Sequence, residues 1–370
     1  MKIVHVIHCC NAGGAEVFVK NLIKEMKNID PNNQYQLWAL HDSASLFNGN
    51  KEAMEYEKQY IAELLECGIE IKMVNKQKGL VGRFKMMRDI NKLYNSFKPN
   101  IINCHLESVT FNVVSSLLFK KVKIYETIHN SVIRRKIIHK YFLNFKIEKY
   151  ISIAKCVSEV IKRDIKVSDK KIRLIYNGID VKKFDVIKNF KDDEHSIIAI
   201  GRLTKQKNHI FLLQAYKEVC QLCDIKKIKE PILKIYGTGE LKNELMTYIC
   251  DNNLKNVKLM GTTTDVPTVL KENDIYVMSS NWEGFSISLI EAKTAGISIV
   301  CTDVGGNNEI IENNKTGFVI EKENIEQLKN CLLKLIIEKD LCRKFYNNCK
   351  REKEKFDIKK SAQEYLELYN

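Results

Sequence analysis

Residues 281–309 read NWEGFSISLIEAKTAGISIVCTDVGGNNE, and the rest of the chain is read outward from them. Trp282-Glu283-Gly284 makes a turn, and Ser286 to Thr294 has a helical pattern that breaks at the small pair Ala295-Gly296. The β-branched run Ile297 to Cys301 predicts a strand, and a second turn, Gly305-Gly306, leads into another helix near Asn308. One helix and one strand therefore lie between two glycine turns.

Two carboxylates frame that helix. Glu283 sits in the entry turn, and Glu291 follows about two helical turns later, roughly 12 Å along the axis. Between them the first backbone N–H groups of the helix lack intrahelical partners and carry partial positive charge. A diphosphate fits such an N-terminus, with a carboxylate for hydroxyl groups on either side. A nucleotide sugar has that layout of sugar, diphosphate and ribose. The plainer reading is a surface helix with Glu283 at its N-terminal end.

A chain of 370 residues points to two domains, and 45% hydrophobic with 29% charged residues is a globular composition. No apolar run approaches the roughly 18 residues needed to span a bilayer, and the apolar part of MKIVHVIHCC is too short for a secretory signal. The cytosol is the expected compartment, so the twelve cysteines read as reduced thiols. Cys220 and Cys223 form a CxxC with no second pair and no nearby histidine, which is not a metal-site pattern. The net charge is +14, and it is lopsided: residues 1–180 hold 30 Lys/Arg against 18 Asp/Glu, residues 181–370 hold 30 against 28. A basic half fits nucleic acid, an anionic membrane surface or a phosphorylated substrate.

Both halves alternate short apolar runs with helical patterns, which predicts an α/β class with doubly wound parallel sheets. The first domain is expected over 1–180, a polar linker over 181–195, the second domain over 196–355, and a last helix over 356–370. Gly13-Gly14 follows the first strand and opens a helix, so backbone N–H groups there can meet an anion. His129 comes at the carboxyl end of the strand Lys123–Ile128, where a histidine is either a satisfied core residue or part of a site. Arg202 and Lys207 follow the strand that opens the second domain and could neutralise a leaving diphosphate without a metal. Neither half has an Asp-x-Asp metal motif, so no cofactor or metal is expected. Residues Arg134–Lys149 interleave six Lys/Arg with Ile137, Ile138, Tyr141, Phe142 and Phe145, which reads as a basic amphipathic helix. It either lies on an anionic membrane or packs its apolar stripe on the sheet.

Five motifs in order, Gly13-Gly14-Ala15-Glu16, His129, Arg202/Lys207, Glu283/Glu291 and Gly305-Gly306-x-x-Glu309, resemble glycosyltransferase family 4 across both halves. The resemblance implies the GT-B fold, two Rossmann-like domains facing a cleft, and a retaining transfer of a hexose or N-acetylhexosamine from a nucleotide sugar, a UDP sugar by family habit. It implies catalytic roles for Glu283, His129, Arg202 and Lys207, and donor contacts at Gly14, Gly237, Phe285, Ser286, Ile287 and Glu291. On this likeness His129 positions the transferred sugar and is not a general base. The last helix, Ile358–Tyr369, is the candidate to cross back to the first domain. Ser286 stands where the family often has glycine and would crowd the sugar side of the phosphates. The acceptor implied is a glycan or polyprenyl-linked sugar in surface polysaccharide assembly, at the inner face of the cytoplasmic membrane.

Three rival classes compete with that reading. A dinucleotide oxidoreductase needs GxGxxG with an acid about twenty residues on, and both are missing. A nucleic-acid-binding protein would account for the charge, but no recognition module is present, and no nucleic-acid partner is expected. A nucleotide-sugar epimerase of GT-B architecture shares the donor motifs and stays open.

Overall fold

The strand segments are short and apolar on both faces: Ile3, Val4, Val6 and Ile7 are buried, as are Ile197, Ile198 and Ala199. Such strands need cover on both sides, which a parallel sheet with crossover helices supplies. The computed structural model describes residues 1–75, 79–188 and 195–370 and has that arrangement twice. The chain divides into a first unit, Met1–Ile179 with Ile358–Asn370, and a second, Asp180–Asp357.

In the first unit β1 (Lys2–Ile7), β2 (Gln34–Ala39), β3 (Glu70–Met73), β4 (Ile101–His105), β5 (Lys123–Ile128), β6 (Ile147–Ser152) and β7 (Ile172–Leu174) form one parallel sheet in the order β3-β2-β1-β4-β5-β6-β7. In the second, β8 (Ser196–Ile200), β9 (Ile232–Tyr236), β10 (Val257–Gly261), β11 (Ile275–Met278), β12 (Ser298–Thr302) and β13 (Phe318–Ile320) run β10-β9-β8-β11-β12-β13. Each sheet winds outward from its first strand, then returns to that strand's other side. The reversal falls between β1 and β4 and between β8 and β11, and the carboxyl ends there are where doubly wound sheets take their ligands.

Helices α1 (Gly14–Ile29), α2 (Gly79–Phe97) and α5 (Ile358–Tyr369) belong to the first unit, α3 (Val181–Phe184) and α4 (Ile287–Ala295) to the second. On α1 the buried residues Phe18, Val19, Leu22, Ile23 and Met26 form one apolar face at helical spacing. Helix α5 packs against α1. Tyr365 and Tyr369 on α5 are fully buried, and the Tyr365 hydroxyl lies 3.1 Å from Thr127 Oγ1 on β5. The Ser361 hydroxyl donates to the Tyr176 carbonyl at 2.8 Å, and Ile358 N–H donates to the Ile179 carbonyl at 2.8 Å.

Two sequence expectations are corrected. Residues Arg134–Lys149 do not form one amphipathic helix. Lys136–Ile138 makes a single turn, His139–Leu143 is a π-helical turn, and Lys149 lies on β6. The cause is His139, whose Nε2 is 3.0 Å from both Glu126 carboxylate oxygens, with both side chains fully buried. Burial alone would lower the His139 pKa, but the Glu126 carboxylate overcomes it and raises it. Drawing this side chain into the core widens the turn, so Asn144 N–H bonds the His139 carbonyl five residues back.

Residues 181–188, read as linker, are packed on the second unit. Asp180 caps α3 by accepting from Lys182 N and Lys183 N, and Val181, Phe184 and Lys188 are buried. Lys188 Nζ donates to the Leu270 and Lys271 carbonyls at 3.0 Å and also to the Asn273 carbonyl. The polar composition hid this packing because Lys188 satisfies its charge on backbone carbonyls of the domain. Residues 189–194 of that expected linker lie outside the described residues.

Replacing Tyr365 tests the cover that α5 gives. Tyr365→Ala should cost about 3–5 kcal/mol, as truncating a large buried aromatic does, whereas Tyr365→Phe should cost about 0.5–1.5 kcal/mol for the lost hydrogen bond. Trp38, buried in the first unit, reports the transition by fluorescence in urea.

Candidate active site

The second unit's site is built where β8 and β11 end. The loop after β8 lays the Lys207 side chain over Gly201, where an added Cβ would come within 3.1 Å of it. The loop after β11 is tied to it: Asn281 N–H donates to the Gln206 carbonyl at 2.7 Å, the Ser279 hydroxyl to the Lys207 carbonyl at 2.9 Å, and Gln206 Nε2 to the Trp282 carbonyl at 3.0 Å. These bonds bring Lys207 Nζ to 2.6 Å from Glu283 Oε1, and the Ser280 hydroxyl donates to the same oxygen at 2.7 Å. Glu283 is buried and Lys207 is 18% exposed on its side chain, so the pair is largely removed from water.

Glycine is required at two places in this framework. Gly237 has φ +143, and a Cβ there would meet the Gly201 carbonyl oxygen at 1.9 Å. Gly305 has φ +59, and a Cβ there would meet the Glu283 carbonyl oxygen at 2.2 Å. The second motif of the opening stretch therefore packs backbone to backbone on the first, and Gly306 N–H donates to the Gly284 carbonyl at 2.8 Å. Arg202 is exposed.

Helix α4 starts right after this turn. Its N-cap Ser286 makes no side-chain cap bond, and no acidic residue stands in its first turn. The helix's positive end is thus left for an outside anion. Phe285 and Ser286 are buried and Ile287 is the first helical residue. The Phe285 ring lies edge-on to Phe356 with centroids 5.4 Å apart, so this side chain serves packing. Burial pushes the Glu291 carboxyl up to about 8, and the nearby Lys183 on α3 works against that shift.

In the first unit, Gly13 N–H donates to Asn11 Oδ1 at 2.8 Å and Gly14 is the first residue of α1. His129 follows β5, mostly buried, with the Phe18 ring of α1 at 6.0 Å. Its Nε2 lies 3.0 Å from His105 Nδ1, and His105 Nε2 lies 3.0 Å from His5 Nδ1. Leu106, next to His105 at the end of β4, has φ 87, a costly conformation for a bulky residue and a common sign of a functional loop.

The structure thus gathers Arg202, Lys207, Gly237, Glu283, Phe285, Ser286, Ile287 and Glu291 on the second unit, and Gly14 and His129 on the first. Sequence reading missed Ser280, Lys183, His5 and His105. Ser280 was within reach as a hydroxyl three residues before Glu283, whereas the others depend on long-range packing. Among the described residues no group of three or more His, Cys, Asp or Glu is placed to hold a metal ion. All twelve cysteines are free.

Comparison with known proteins covers both units. Residues 12–183 match the model of Glycosyltransferase Family 4, and residues 180–352 match that of Glycosyl transferases group 1. The chain is 31% identical over 224 residues to an Escherichia coli UDP-Gal:α-D-GlcNAc-diphosphoundecaprenol α-1,3-galactosyltransferase, covering 57% of each. It is 31% identical over 213 residues to a Campylobacter jejuni N-acetylgalactosamine-N,N'-diacetylbacillosaminyl-diphospho-undecaprenol 4-α-N-acetylgalactosaminyltransferase, covering 56% of each. The matched part therefore spans little more than half the length of these two relatives. The crystal structure of Anabaena HepE in complex with UDP superposes with a TM-score of 0.81 at 15% identity, covering 100% of this chain and 99% of that one.

The Lys207–Glu283 pair can be tested without any ligand. Lys207→Met leaves the buried carboxylate with Ser280 alone and should cost about 1.5–3 kcal/mol of stability. Adding Glu283→Gln should restore part of that loss, a coupling that thermal or urea unfolding of the two single variants and the double variant measures.

Proposed function

The chain belongs to glycosyltransferase family 4 with the GT-B fold, and from that premise we propose that it transfers a hexose or N-acetylhexosamine from a UDP sugar to a lipid-linked or glycan acceptor, with retention of configuration, in polysaccharide biosynthesis. The observation that carries the proposal is the Lys207–Glu283 pair beside the uncapped start of α4. An ammonium has three donors. One goes to Glu283, and the others remain for phosphate oxygens. Among the described residues both side-chain bonds that Glu283 accepts fall on Oε1, leaving Oε2 for sugar hydroxyls. In departure of UDP the growing charge sits on the β-phosphate, where Lys207, Arg202 and the N–H groups of α4 stabilise it. These cations take the place of a divalent metal in this reading, so EDTA should leave the rate nearly unchanged, and a strict Mn²⁺ or Mg²⁺ requirement would count against it.

Glu291 is the ribose partner in this reading, and its carboxyl accepts strongly from both hydroxyls of a diol, one on each oxygen, when ionised. Calorimetry against a panel of UDP, GDP and ADP sugars tests the donor, with saturable binding of one or more UDP sugars expected. Because burial holds Glu291 at about 8, affinity should rise with pH by up to about tenfold per unit below that value and level off above it. Glu291→Gln should flatten the profile. No binding to any nucleotide sugar overturns the function, and epimerised sugar released without an acceptor favours the epimerase.

The acceptor side is the basic segment of the first unit. Ile137, Tyr141 and Phe145 of the stripe are exposed, with Val132 before them, while Ile138 and Phe142 are half-buried, so part of the stripe faces water. Arg83 and Arg135 stand 5.1 and 5.5 Å from the centroid of the Phe111 ring, which places the start of α2 beside this segment. Leu80, Val81 and Phe84 of α2 are exposed there too. Apolar side chains ringed by Arg134, Arg135 and Lys140 suit an anionic leaflet at the inner face of the cytoplasmic membrane, and each base adds about 1 kcal/mol before screening. Lys136 is already paired with Asp164 at 2.8 Å. Changing Arg134, Arg135 and Lys140 to Ser should abolish sedimentation with phosphatidylglycerol vesicles and leave donor binding intact. Unchanged sedimentation rejects membrane contact.

A further inference from the structure

Three histidines form a hydrogen-bonded column across the first unit's sheet. In register His5 on β1 pairs with Asn103 on β4, and His105 pairs with Thr127 on β5. Each step from His5 to His105 to His129 therefore moves one strand over and two residues up, which keeps all three on one face. The contacts are 3.0 Å each, His5 Nδ1 to His105 Nε2 and His105 Nδ1 to His129 Nε2. His5 is 0% exposed, His105 1% and His129 8%. The Tyr369 ring of α5 covers His5 at 6.3 Å. His5 Nε2, at the closed end, is buried with no hydrogen-bond partner among the described residues.

Proton counting leaves few choices. Burial lowers His5 to about 3 and His129 to about 4, and it lowers His105 as well, helped by its two neighbours, so all three rings are neutral at neutral pH. Each neutral ring has one N–H, and each contact needs one proton. His105 uses both nitrogens, so its two contacts must run in the same direction. In one arrangement the protons point from His5 toward His129, His5 Nε2 is an unpaired acceptor, and His129 bears its proton on Nδ1. In the other every proton points back, and His5 Nε2–H is an orphaned donor in the core. Orphaned buried N–H groups are rarer in proteins than under-satisfied acceptors.

We infer that His105, anchored from behind by His5, is a positioning residue that holds His129 as its Nδ1–H tautomer, a hydrogen-bond donor to substrate oxygen with no lone pair free to take a proton. The substrate part rests on the proposed function; the tautomer does not. The column explains why a histidine at this strand end aids sugar placement and not proton abstraction. It also ties the orientation of the His129 ring to the register of three strands.

The test is a long-range ¹H–¹⁵N spectrum of the full chain with labelled histidine, the His129 signals assigned through His129→Gln. The expected result is a protonated Nδ1 and a bare Nε2 on His129. A protonated Nε2, or a mixture of forms, overturns the inference, and the unmodified chain alone supplies that reading. In His105→Phe the single tautomer should be lost, with kcat for the UDP sugar chosen by the binding panel falling about fivefold to tenfold. His105→Asn, whose amide N–H can replace Nδ1–H, should restore both. A single Nδ1–H signal that persists in His105→Phe rejects the positioning role. Absence of any sugar-nucleotide binding rejects the function while leaving the tautomer reading to the spectrum.

Discussion

Parallel strands cannot be joined by tight turns, so each must be reached by a crossover, and a sheet that grows in both directions must reverse somewhere. That reversal parts the loops after β1 and β4, and again after β8 and β11. The remaining features hang on the gap so formed. Gly13-Gly14, His105 and His129 stand at the carboxyl edge of one sheet, and Arg202, Lys207 and Glu283 stand at that of the other. Neither group is contiguous in sequence, and neither needs a dedicated scaffold. The winding of the sheet delivers each group to the edge where helix N-termini also converge.

Charge is handled differently in the framework and at this edge. Glu126 gives both oxygens to His139, Lys293 is held by the Ile310 carbonyl and Glu352, and Lys188 is wrapped by three carbonyls. Each of these buried charges is compensated, as desolvation demands. Lys207 and Glu283 are paired through one oxygen only, and Glu291 has its charge opposed by burial with Lys183 in partial offset. An incompletely satisfied polar set is costly in a core. In this fold the mouth of a doubly wound sheet is where ligands are taken, and there such a set is open to outside partners.

The strands were legible because Ile3–Ile7 or Ile197–Ile200 leave no polar face, and the site on the second unit was legible because Glu283, Glu291 and the glycine turns are local. The failures have a common physical source. His139 looked like one more polar residue on a basic stripe, yet its partner Glu126 comes from the neighbouring strand β5. Residues 181–188 looked like a tether because lysine and aspartate are common in tethers, and only the carbonyls of residues 270–273 reveal the packing. His5 and His105 could not be joined to His129 without the register of three strands. Local spacing carries local chemistry, while partners supplied by tertiary packing leave no mark on the neighbouring residues.

The first unit is discontinuous. Its sheet is complete by Leu174, but the helix that covers α1 and β5 is the final stretch of this sequence, after the whole second unit. During synthesis at about 5–20 residues per second, the second unit can finish folding while the first still exposes the apolar surface that Tyr365 and Tyr369 will occupy. The earlier-made half of the protein is thus the later to mature, and its histidine column is covered only once α5 has been made.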